Sequence, residues 1–264
     1  MQKTLSDLCV MVTRPKPQGQ ILCEKIKTLG GVPVYLPTIE IMPPENTTIL
    51  KEQIAQLDQY DLIIFISPQA VSQSIPLIRK HWPMPPAKLK FLATGQGTAN
   101  ALHTAGFSTV IFPPEEWSTE GLLKLPILQN ISQQKIALVR GEGGRELLAD
   151  TLKARGANVT HFIAYRRTVP SLEKSESYAS LLQQQKIDII VCTSGESLHN
   201  LITLVGVANK SFLQDVALVV VSQRLVLLAK ELQFTQVFLA GNASHNMIID
   251  SLESYAKHHK RKSS

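Results

Sequence analysis

Short runs that are apolar at consecutive positions recur along the chain, at residues 10–12, 62–66, 91–93, 136–139, 187–191 and 217–221. Segments with a helical repeat of apolar positions, such as 20–29 and 146–155, lie between them. Strands that are apolar on both faces and separated by helices belong in parallel sheets covered on both sides.

The blocks occur twice. Residues 8–14 (LCVMVTR) match 135–145 (KIALVRGEGGR), 61–71 (DLIIFISPQAV) match 188–198 (DIIVCTSGESL), and 91–110 match 218–237. The offset stays at about 127 residues, too long for a solenoid repeat and the size of a duplicated domain. Two extended, proline-bounded stretches, 33–44 (PVYLPTIEIMPP) and 160–170 (THFIAYRRTVP), fall at the same place in each repeat and read as linker strands able to pair with each other. The expected fold is therefore α/β: two similar doubly wound parallel-sheet domains joined by a two-stranded linker. The first lobe is expected to combine 1–36 with 168–256 and the second to span 44–160, with 37–43 and 161–167 as linkers. A cleft between lobes is a common place for a small molecule.

Composition narrows this picture. With 264 residues, 44% of them hydrophobic, each domain can have its own core. The formal charge of +6 hints at nucleic acid until it is located: Lys257, Lys260, Arg261 and Lys262 account for four of those charges, leaving +2 on the body. Residues 257–264 read as a solvated, disordered tail. Cys9, Cys23 and Cys192 are odd in number, lack C-x-x-C spacing and sit among apolar neighbours, which fits buried reduced thiols. Neither a secretion signal nor an apolar run of membrane-spanning length is visible. The expectation is a cytoplasmic monomer that engages a small molecule and neither membrane nor nucleic acid.

Ligands of doubly wound sheets lie beyond the carboxyl ends of the strands. There the sequence gathers Thr13 and Arg14; Ser67; Thr94, Gly95, Gly97 and Thr98; the 140–145 stretch beginning with Arg140; Thr193 and Ser194; and Ser222 and Arg224. Hydroxyls, glycines and helix-start amides suit an anion. The same residues are also what a strand-to-helix turn uses for capping, and sequence alone does not separate the two uses. The Gly95-x-Gly97 pair is followed by Asn100 where a dinucleotide fingerprint has its third glycine, and residues 140–145 lack the ending of a P-loop. The seven histidines show no paired ligand spacing, so neither a metal nor a cofactor is expected. Tyr165 stands in a linker beside Arg166 and Arg167, where it either faces the cleft as a proton donor or packs against the linker strands.

These residues, taken together over about 8–255, resemble the uroporphyrinogen-III synthase family. The markers are Val12-Thr13-Arg14-Pro15, FISPQAV at 65–71, GQGTANAL at 95–102, STEGL at 118–122 and RGEGGREL at 140–147. Arg155-Gly156-Ala157 leading to Tyr165-Arg166-Arg167, and Thr193-Ser194 before Glu196-Ser197-Leu198, complete the series. Ile66 and Gln69 depart from the threonine and asparagine common in the family, and Ser222-Gln223-Arg224 lacks the glycine and threonine of some members.

The resemblance implies a cofactor-free hydro-lyase that closes the linear tetrapyrrole hydroxymethylbilane to uroporphyrinogen III, with loss of water and inversion of ring D. It implies Tyr165 as the donor to the departing hydroxyl. It further implies Thr13, Arg14, Ser67, Thr98, Arg140, Thr193, Ser194 and Ser222 as substrate-binding positions, although Arg14 and Arg140 would equally form ion pairs at helix starts. The rival readings are a non-catalytic two-lobed anion-binding protein and an inactive relative of the synthase. An oxidoreductase is disfavoured by the broken glycine fingerprint.

Overall fold

The computed structural model describes residues 3–171, 180 and 187–260. In chain order the first elements are β1 (Cys9–Val12), α1 (Gln18–Thr28), β2 (Val32–Tyr35), β3 (Glu40–Met42), α2 (Thr47–Ala55), β4 (Leu62–Phe65) and α3 (Pro68–His81). Next come β5 (Lys90–Ala93), α4 (Gln96–Thr104), β6 (Val110–Ile111), α5 (Thr119–Leu123), β7 (Lys135–Gly141), α6 (Leu147–Ala154) and β8 (Asn158–Thr168). The chain ends with β9 (Ile189–Cys192), α7 (Gly195–Val205), α8 (Lys210–Asp215), β10 (Ala217–Val220), α9 (Gln223–Glu231), β11 (Val237–Leu239) and α10 (His245–Lys260). Two compact units result, one drawn from Met1–Ile41 and Thr168–Ser264, the other from Met42–Arg167.

In the first unit the strands run in the order β2-β1-β9-β10-β11, and every pair is parallel. The reason lies in the side chains. IIVC and ALVV are buried at every position of β9 and β10, so both belong at the centre with helices on either face. VPVY of β2 is more exposed and carries Pro33, which an edge strand tolerates because one of its sides needs no ladder hydrogen bonds. Helix α7 buries Leu198, Leu201, Leu204 and Val205, one apolar stripe facing the sheet core.

The six-stranded sheet has the order β3-β8-β7-β4-β5-β6; β3 falls at the boundary between the units and the other strands belong to the second. Replacing each strand by its counterpart about 127 residues away converts β8-β7-β4-β5-β6 into β2-β1-β9-β10-β11, so the sequence repeat is also a repeat of topology. LIIF of β4 is fully buried at its centre, while the two-residue β6 lies at the edge. The two stretches expected as linkers are neighbours in this sheet: β3 lies next to β8, and residues 161–167 are the second half of an eleven-residue strand paired with β7 on its other side. Residues 257–260, expected in a disordered tail, form the last turn of α10, and 261–264 lie outside the described residues. Among the described residues no helix is long and apolar enough to cross a membrane.

Candidate active site

In a doubly wound sheet the crevice for ligands opens where consecutive connections leave in opposite directions. That point lies between β7 and β4 in the second unit. A cavity of about 320 Å³ opens there, lined by Ser67, Thr119, Arg140, the 141–145 loop, Tyr165 and Arg167.

Tyr165 reaches this cavity through an irregularity in its strand. Arg140 pairs with Ile163 but Gly141 pairs with Tyr165, so Ala164 is an extra residue that shifts the register. Such a bulge re-aims the side chain that follows it. The phenol ring lies against Gly141: a Cβ added there would meet its Cε2 and Cζ at 2.7 Å. Tyr165 is 2% exposed, its oxygen 3.3 Å from the Ser67 hydroxyl and 3.5 Å from Nη2 of Arg167. A guanidinium only donates, so the phenol oxygen accepts from Arg167 and its own hydrogen remains to be given to Ser67 or to a bound oxygen. The Arg167 cation also stands 5.9 Å from the ring centroid, a cation–π distance.

Arg140 does not present a free charge to the cavity. Its guanidinium, 5% exposed, donates through Nη1 to Glu146 Oε1 at 2.8 Å and to His161 Nδ1 at 3.3 Å. Nη2 donates to the carbonyl of Gly143. The loop wraps this group with Gly143 and Gly144 both at left-handed φ, +69° and +98°, which glycine adopts without strain. Arg145, 3.9 Å from Glu120, and Arg167 are the more exposed arginines lining the cavity.

At the matching point of the first unit, between β1 and β9, buried hydroxyls bond to one another. Thr13 is fully buried, its hydroxyl donating to the Val191 carbonyl at 2.8 Å and 3.0 Å from the Ser197 hydroxyl. Ser197 lies in turn 2.6 Å from the Thr38 hydroxyl. Counting by the repeat, Thr13 occupies the place of Arg140 and Thr38 that of Tyr165. Thr13, expected to bind substrate, is thus spent on holding β1 to α7. Thr13→Val should lower stability by about 1 kcal/mol, the net worth of the lost hydroxyl bonds, because the Val191 carbonyl keeps the Thr13 amide and Ser197 keeps Thr38; urea unfolding would show it as a shifted midpoint at constant slope.

The remaining expected residues divide by role. Ser67, Ser194 and Ser222 are helix N-caps whose hydroxyls accept from the amides of Ala70, Ser197 and Leu225. Of the three, Ser67 also lines the cavity. Thr98 is buried in the first turn of α4, Thr193 is half-buried before its cap, and Arg14 donates to the Ala243 carbonyl at 3.0 Å. The structure therefore gathers Ser67, Arg140 and Tyr165 at one point of the second unit, and Thr13, Thr193 and Ser194 at the equivalent point of the first. Burial raises the thiol pKa of Cys9 and Cys192 and pushes that of Cys23 up to about 11, so all three stay protonated at neutral pH. Among the described residues no group of three or more His, Cys, Asp or Glu is arranged to hold a metal ion.

Sequence reasoning missed Glu146 and His161. The one visible signal was a carboxylate six residues after Arg140; His161 becomes its neighbour only through the β7–β8 pairing, which sets Leu138 beside His161.

The chain is similar to known proteins in sequence and in fold. The family model for uroporphyrinogen-III synthase HemD matches residues 21–250. A uroporphyrinogen-III synthase from Escherichia coli K12 is 36% identical, over 93% of this chain and 100% of its own length. That from Salmonella typhimurium LT2 is 33% identical with the same coverage. Solved structures share the fold at low identity. A mutant uroporphyrinogen III synthase from the extremely thermophilic bacterium Thermus thermophilus aligns over 96% of this chain and 98% of its own with TM-score 0.58 and 18% identity. The Helicobacter pylori 26695 synthetase aligns over 94% and 99% with TM-score 0.60 and 16% identity.

Proposed function

The chain belongs to the uroporphyrinogen-III synthase family, and from that premise we propose that it is a hydro-lyase closing hydroxymethylbilane to uroporphyrinogen III. The observation that carries the reading beyond family membership is the phenol of Tyr165, whose oxygen accepts from Arg167 while its hydrogen stays available inside a cavity. Loss of the ring A hydroxyl as water needs a proton at the departing oxygen, and a neutral phenol supplies one without a charged acid. The azafulvene left behind is an electrophile, attacked by the substituted carbon of ring D. The resulting spiro intermediate fragments and closes with that ring inverted.

Unguided closure gives the uninverted isomer, so the protein's contribution is orientation. The substrate's acetate and propionate groups suit the guanidinium groups of Arg145 and Arg167 and the amides of residues 143–145. The ring A N–H proton released as the azafulvene forms returns to the Tyr165 phenolate, and the restored phenol can again donate to Ser67, whose oxygen also caps α3.

The test is turnover of freshly generated hydroxymethylbilane, followed by oxidation and chromatographic separation of the isomers. We expect isomer III well above the spontaneous background. Isomer I alone, from folded protein, would turn the assignment towards an inactive relative or an anion-binding protein.

A further inference from the structure

We propose that Arg140 is a positioning residue of this reaction rather than a carboxylate ligand: held by Glu146 and His161, it pins the 141–145 loop on which the Tyr165 ring rests. The proposal rests on the function assigned above to Tyr165. Arg140 leaves the end of β7, its guanidinium is buried, and its hydrogen bonds point in three directions, to Glu146, His161 and the Gly143 carbonyl. Nη2 lies 3.1 Å from where a Gly144 Cβ would stand, so the loop closes around the guanidinium as well as bonding to it. At the near end of the same loop Gly141 touches the phenol, and the Glu142 amide donates to the Tyr165 carbonyl at 2.8 Å. Fixing Gly143 therefore fixes the floor and one backbone tie of Tyr165.

The third member of the clamp makes it sensitive to protons. Arg140 can only donate, so Nδ1 of His161 must accept, which leaves the ring hydrogen on Nε2, 3.5 Å from Glu146 Oε2. The neutral imidazole closes the ring of three. A second proton on Nδ1 would set two donors face to face and push His161 away from Arg140. Burial first, then the charges of Arg140 and Lys153, lower the His161 pKa from the ordinary 6.5, against the opposing pull of Glu146 and Asp150. With the folded value below the unfolded one, the clamp is intact near neutrality and loosens as pH falls from 6.5 through that lowered value. The main chain of His161 stays tied to α2, since Gln53 Nε2 donates to its carbonyl at 3.0 Å.

The test compares Arg140→Lys, Glu146→Gln and His161→Gln for kcat, KM and hydrogen exchange of the 141–145 amides. A lysine keeps the charge but offers no planar fork for three partners. Arg140→Lys should therefore lower kcat by ~100-fold, a misplacement effect, with KM little changed and faster loop exchange. In a Tyr165→Phe background the same change should cost little more. Glutamine at 161 keeps one acceptor and one donor but does not titrate, so the acid limb of the kcat–pH profile should disappear. If Arg140→Lys misfolds, Glu146→Gln carries the same test from a half-exposed position. Unchanged kcat with raised KM in Arg140→Lys would make Arg140 a substrate ligand and overturn the proposal, as would unchanged loop exchange. Undiminished turnover in Tyr165→Phe alone is a separate failure, that of the role given to the phenol.

Discussion

Tyr165→Phe should slow formation of isomer III by ~100-fold or more, the contribution expected of a positioned general acid, while the protein stays folded. The phenol's two contacts, at 3.3 Å to Ser67 and 3.5 Å to Arg167, are long. Their loss should cost no more than about 1 kcal/mol. Phenylalanine keeps the ring against Gly141 and keeps the face turned to the Arg167 cation. Rate and stability should therefore separate, and measuring both on one preparation distinguishes a lost proton from a damaged fold. Substrate protonated by water alone would still close, mostly to the uninverted isomer, so the III-to-I ratio should fall along with the rate. A wild-type ratio at wild-type speed would remove Tyr165 from the chemistry.

The second large effect should come from one methyl group. In Gly141→Ala the new Cβ would sit 2.7 Å from two ring carbons of Tyr165 and 3.1 Å from its oxygen. Neither side yields easily: Gly141 is held in β7 by its pairing with β8, and the ring is buried. The ring must tilt or the strands must part. Overpacking of this kind costs about 1–3 kcal/mol. A displacement of the reacting oxygen approaching ~1 Å costs ~100-fold in rate. A modest fall in melting temperature with a fall in kcat near that of Tyr165→Phe is the expected pair of results. Normal kcat would mean that the phenol's position is not critical.

The central strands were legible because CVMV, LIIF, IIVC and ALVV are short, rich in β-branched residues and apolar on both faces, a pattern that fits strands covered on both sides. The repeat was legible for the same reason, since both copies must bury equivalent strands. What a strand-end hydroxyl faces was not legible. Thr13 and Ser67 look alike in sequence, yet one is sealed against Val191 and Ser197 while the other borders a cavity. The aim of Tyr165 depends on the extra residue Ala164, and a one-residue bulge leaves no signature in an apolar run. Arg140 was visible as a cation but not as a spent one, because its partner His161 lies on another strand.

The order of strands also sets a timetable. The unit formed by Met42–Arg167 is one continuous piece of chain, whereas β1 finds its central neighbour β9 at a separation of 179 residues. As the chain leaves the ribosome, the continuous unit can close while the opening residues still have no β9 to pair with. Strand β1, made before the other described strands, is among the last of them to be buried. Until then its apolar CVMV segment needs shielding, by the emerging chain or by a chaperone, from others like itself. The half that carries the tyrosine cavity can thus be complete before the half that needs both β1 and β9.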